Sequence, residues 1–152
     1  MQRHDDMGFE GRLHIVLRGP DGEIKDERFA VNQIQDAGDK HVADQMSDQG
    51  DAAMSHMAVG TGTGQATSDT TLATENDRNA LTSTTQGTGG ADNDVVYVGT
   101  WAAGDATAAL TEAGIFNDAS AGDMLCYADF SAINKAAGDT LVITWTVTFG
   151  SS

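Results

Sequence analysis

The sequence predicts a mainly β fold: an antiparallel β-sandwich or jelly-roll-like domain that opens with a β-hairpin and carries one short helix. Three observations lead there. The stretch Thr140–Phe149 alternates apolar and threonine residues, with Val142 the one exception, which is the period of a strand with one buried face. Short apolar segments recur along the chain, separated by turns rich in Gly, Asn and Asp. Apolar residues make up 39% of the chain but aromatic ones only 6%, so Ala, Gly and Thr carry much of the packing, as suits close-packed β-structure better than a helical bundle.

Taken in order, residues 1–10 are polar and read as a flexible N-terminal arm. A single β-rich domain then spans 11–152, with a soft boundary dividing a hairpin-helix portion (11–50) from a main β-sandwich (51–152). From Gly11 to Arg18, Leu13, Ile15 and Leu17 share one face, and Arg12, His14 and Arg18 the other. Gly19-Pro20-Asp21-Gly22 is a turn, with proline pre-setting φ and glycine taking the positive-φ position. Glu23 to Val31 returns as a second strand with Ile24, Phe29 and Val31 as its apolar anchors. Asp36 to Asp48 reads as a helix capped by Asp36 or Asp39, with Val42 and Met46 on one face.

Ser55 to Gly60 is a strand leading into the arch Thr61-Gly62-Thr63-Gly64, and Ser68-Asp69-Thr70 is a further turn. Arg78 to Ser83 is read as one strand and Gln86 to Asp94 as a loop. Val95–Trp101, Leu110–Phe116, Met124–Phe130 and Thr140–Phe149 complete the set. The expected core is Leu13, Ile15, Trp101, Phe116, Phe130, Leu141, Ile143, Trp145 and Val147.

Charge narrows the function. Twenty-three Asp and Glu face eight Lys and Arg, a formal net charge of −15 that would repel nucleic-acid phosphates. A folded chain with this surface suits high salt, where the Debye length falls to about 3 Å and self-repulsion is screened. No apolar run approaches membrane-spanning length, and the N-terminus has no apolar signal core. No membrane partner is expected. Cys126 is the single cysteine, so no internal disulfide forms, and it reads as a small core residue.

No catalytic frame is legible. Gly60, Gly62 and Gly64 are followed by Gln65-Ala66-Thr67 rather than the Lys-Ser or Lys-Thr of a phosphate loop, and read as a tight arch. The four histidines are scattered without zinc-ligand spacing. Asp92-Asn93-Asp94 and Asp118 to Asp123 are acidic loops that lack the calcium-loop pattern. No cofactor and no metal are therefore expected, and no enzyme activity. Glu112 interrupts an apolar strand and needs a partner if buried. A conformation-fixing ion pair with Arg78 is one reading, an edge-strand glutamate in water the other.

The segments SHMAVGTGTG (Ser55–Gly64), the Ser68-Asp69-Thr70 turn with Leu72, LTEAGIFN (Leu110–Asn117) and the closing INKAAGDTLVITWTVTF resemble, in that order, a family of small virion structural proteins of tailed viruses. They resemble more loosely the attachment domains of tail-collar and tail-fibre proteins. The resemblance implies a structural role for Gly60, Gly62, Gly64, Asp69, Arg78 and Glu112. It also implies a symmetric homo-oligomer contacting other virion proteins, such as a major capsid or tail protein. The expected function is a non-enzymatic virion surface module: a capsid decoration, a vertex turret, or a small tail or baseplate adaptor, made in the host cytoplasm. The acidity points to a virus of a halophilic host. The alternative is a carbohydrate- or Ca²⁺-dependent adhesin, for which Tyr97 and Trp101 would supply the exposed aromatics.

Overall fold

The computed structural model describes residues 7–151. Ten strands and one helix follow in the order β1 (Met7–Arg18), β2 (Ile24–Val31), β3 (Gln33–Ile34), α1 (Asp36–Met46), β4 (His56–Gly60), β5 (Glu75–Ala80), β6 (Ser83–Gln86), β7 (Asp94–Trp101), β8 (Ala108–Phe116), β9 (Met124–Lys135) and β10 (Thr140–Ser151). They form two five-stranded antiparallel sheets. The first, sheet A, has the order β2-β1-β10-β7-β6, and the second, sheet B, has β3-β9-β8-β4-β5. The chain is a β-sandwich.

The alternation of β10 decides how the sheets meet. Leu141, Ile143, Trp145 and Val147 are buried against sheet B, while Val142, Thr144, Thr146 and Thr148 stay half-exposed on the outer side. Leu13, Ile15 and Leu17 of β1 join them, in register: Leu13 opposite Trp145, Ile15 opposite Ile143. From sheet B come Met57, Val59, Leu110, Ala113, Ile115 and Ile133, and Cys126 is buried among them. Burial pushes the Cys126 thiol well up, as befits an inert core residue.

Several expectations need correction. β1 begins at Met7, so residues 7–10 are strand; residues 1–6 lie outside the described residues. Ile24, Phe29 and Val31 are not core anchors: they are 51%, 77% and 79% exposed. Pairing of His14 with Phe29 turns them to the outer face and turns Asp26, Arg28 and Ala30 inward. The segment read as one strand from Arg78 is two, β5 in sheet B and β6 in sheet A, because the chain crosses between sheets at Leu81-Thr82. Helix α1 has Gln35 at its N-cap rather than Asp36 or Asp39, buries Gly38 and His41, and leaves Met46 78% exposed. Phe130 is half-buried at the rim of the core. Phe116 is fully buried, but on the other side of sheet B with Ala58, Leu72, Met124 and Tyr127. That second cluster exists because residues 61–74 fold back over sheet B and insert Leu72.

Candidate functional site

The sequence-predicted residues gather around that fold-back. Gly60 ends β4, and a Cβ there would lie 2.3 Å from the Thr74 carbonyl oxygen; at Gly62 it would lie 2.5 Å from Ala73 Cβ. Only glycine lets the two backbones run this close. Gly64 holds φ at +86° and donates its N–H to Asp129 Oδ2 at 3.0 Å. Asp69 closes the next turn, its Oδ2 accepting the Ala66 N–H at 2.7 Å and its carbonyl accepting from buried Gln35 Nε2 at 2.8 Å.

Glu112 is fully buried beneath this arch. Its carboxylate accepts the N–H of Ala73 at 2.6 Å and of Thr74 at 3.3 Å. Burial pushes the carboxyl above the usual range, and the Ala73 and Thr74 donors only partly oppose this. The structure does not bring Glu112 and Arg78 together. Arg78 instead stacks its guanidinium 3.7 Å over the Phe116 ring. It donates to the Asp118 and Ala121 carbonyls at 3.0 and 2.9 Å and pairs with Glu75 at 2.7 Å. The reason is topological: β5 and β8 flank β4 on opposite sides, and Ala58, not a β8 residue, stands opposite Arg78. Each polar group found backbone partners nearer than the other. This arch is a structural device; Glu112 sews the fold-back to sheet B, and Arg78 sews the 118–121 loop to the same sheet.

The outer face of sheet A is different in kind. Its register stacks three rows across four strands: Glu27-Val16-Val142-Thr100, Phe29-His14-Thr144-Val98 and Val31-Arg12-Thr146-Val96. Phe29 stacks on the His14 ring with centroids 4.7 Å apart, and His14 Nε2 meets Glu27 at 2.6 Å. Glu27 is the single carboxylate in the three rows. Of the eight Lys and Arg in the whole chain, Arg12, Arg18, Lys25 and Arg28 lie on the β1–β2 hairpin. On a protein of net charge −15, these three rows are apolar and threonine-rich with one carboxylate, and negative charge returns in the next row, Glu10-Thr148-Asp94, at one end of the face.

A third cluster had no local signal in the sequence beyond the acidic character of the Asp118 to Asp123 loop. His41 of α1, Asp51 from the segment before β4 and Asp123 from the β8–β9 loop come together although no two share a motif. Spacing rules see ligands on one helix or hairpin, not ligands from three separate segments.

Tyr97 and Trp101 are 7% and 0% exposed, so neither is open to a sugar ring. Among the described residues no helix is long and apolar enough to cross a membrane. Compared with protein families, with curated proteins and with solved structures, the chain matches none.

Proposed function

We propose that this protein is a non-enzymatic structural module of a tailed-virus virion that self-associates through the outer face of sheet A. The observation that carries the reading is the carboxylate-poor patch formed by the three rows from Glu27, Phe29 and Val31. Two copies each bearing −15 repel one another across most of their surfaces, and approach is cheapest where carboxylates are missing and apolar groups can be buried. The rows headed by Phe29 and Val31 offer that contact, and Val and Thr on a sheet face pack against a second sheet at about 10 Å. The occupant is therefore a second copy of the chain, arranged symmetrically.

The edge of β2 supports face contact over strand addition, since Asp26 and Arg28 point inward there and pair at 2.9 Å. The resemblance of the Gly-Thr arch, the LTEAGIFN strand and the closing strand supplies the virion setting: a capsid decoration, vertex turret or small tail adaptor working in high salt. The adhesin reading loses its aromatic platform, because Tyr97 and Trp101 are buried.

Light scattering in molar KCl, with and without Ca²⁺, tests this. A discrete oligomer indifferent to calcium is expected, reduced to monomer by Phe29→Asp with Val31→Asp. A wild-type monomer at all concentrations overturns the proposal. Assembly that requires calcium favours the adhesin instead.

A further inference from the structure

Three donor groups converge beside α1. His41 is buried on the inward side of the helix, while Asp51 and Asp123 are half-buried. One ligand atom from each lies within 4.8 Å of the other two. His41 Nδ1 and Asp51 Oδ2 are 2.8 Å apart. Donors bound to one ion by bonds of about 2.0–2.2 Å sit roughly 3–4 Å apart, so the set closes on an ion with small side-chain shifts.

The support around these groups is what a metal site needs. Asn117 Nδ2 donates to Asp51 Oδ1 and to the Ala52 carbonyl, both at 3.1 Å, and Asn117 Oδ1 accepts the Asp123 N–H at 2.7 Å. One amide thus fixes both acidic segments, as outer-shell partners do for metal ligands. Arg78 holds the loop that delivers Asp123 through the Asp118 and Ala121 carbonyls.

The carboxylates of Asp51 and Asp123 face each other, and a positive charge beside them relieves their repulsion. Lys40 does not supply it directly, for its ammonium is bonded to Asp44 at 2.6 Å. A protonated His41, a shared proton or a metal ion does.

We propose that His41, Asp51 and Asp123 bind one first-row divalent transition-metal ion, with Zn²⁺ as the reference ion, and that this ion ties α1 to the β8–β9 loop. The donor set selects the class. An imidazole with two carboxylates suits Zn²⁺ or Mn²⁺, whereas Ca²⁺ takes six to eight oxygen ligands and Mg²⁺ an oxygen octahedron. Three protein donors leave a further position to water. The site goes beyond the assembly reading and is independent of it, since it lies on α1 and sheet B rather than on the outer face of sheet A.

The test uses the full chain, stripped with a chelator and titrated calorimetrically with ZnCl₂. Binding of one equivalent and a higher melting temperature are expected, with no comparable effect of CaCl₂ at the same concentration. Asp51→Asn and Asp123→Asn should each weaken binding at least tenfold, by about the loss seen when metal-site partners are removed, while Asp92→Asn leaves it unchanged. Should those variants fail to fold, the wild type decides: imidazole ¹⁵N signals must shift on Zn²⁺ addition at His41 and at no other histidine. Equal stabilisation by Ca²⁺, wild-type affinity in Asp123→Asn, or a shift at a different histidine overturns the proposal. An oligomer that forms fully in chelator would leave the assembly reading standing whatever the metal result.

Discussion

The indole N–H of Trp145 donates to Asn32 Oδ1 at 2.7 Å, tying the centre of β10 to the residue at which the chain leaves sheet A for sheet B. Gly11 makes the bond possible: a Cβ at that position would lie 1.5 Å from the same oxygen. Asn32→Ala strands a buried indole donor and should cost about 1–3 kcal/mol. Gly11→Ala displaces the same side chain, so urea melts of the double variant should show less than the summed loss. Strict additivity would mean the two residues act separately.

Trp145 itself is fully buried between the sheets. Trp145→Ala should destabilise the domain by about 3–5 kcal/mol, the range for large aromatic truncations. Near-wild-type stability in that variant would contradict its place in the core.

Glu112 makes a signed pH prediction. Its carboxyl is raised by burial, so the folded state binds its proton more tightly than the unfolded chain. The penalty for its charge is therefore full above the folded value, and it disappears as pH falls to the ordinary glutamate range. Glu112→Gln should abolish that component of the pH–stability curve. Glu112→Ala should instead lose about 1–3 kcal/mol by releasing the Ala73 and Thr74 N–H groups.

Asp139 has the opposite sign. The Lys25 ammonium at 2.7 Å, and then the Ala136 N–H, hold its carboxyl below the usual range. The stability it contributes is present above the ordinary aspartate value and is lost as pH falls through the folded one. In Lys25→Met, acid unfolding should begin at higher pH than in the wild type; an unchanged acid limb would show that the pair is idle.

Net charge predicts a salt effect. With −15 spread over this surface, the melting temperature should rise between dilute buffer and molar KCl. A flat or falling curve would remove the high-salt setting.

The clean alternation of β10 made its face legible from sequence, and Leu13 and Ile15 followed from the same period. β2 was read inside out for a physical reason. Apolar content suggested anchors at Phe29 and Val31, but the strand is an edge, and its inward positions lie at the rim, where Arg28 reaches the Ser131 and Ala132 carbonyls. Which strand is an edge is a property of topology, not of local pattern. Glu112 was legible as a residue needing a partner. Its partner was misread because backbone N–H groups, present at nearly every residue, leave no mark in composition. The acidic Asp118 to Asp123 loop was legible, but the gathering of Asp123 with His41 and Asp51 was not, for the complementary reason: their nearness is made entirely by the fold.

The central pair of sheet A joins the first strand to the last, Leu17 opposite Leu141 and Phe9 opposite Phe149. On a translating ribosome β1 has no neighbour on its β10 side until β10 has emerged, so the hairpin waits with Leu13, Ile15 and Leu17 uncovered. Such long-range closure is slow, and it leaves the nascent chain open to wrong pairings meanwhile. Sheet A is thus completed only after synthesis of β10, and any truncation that removes β10 removes the middle of the sheet rather than its margin.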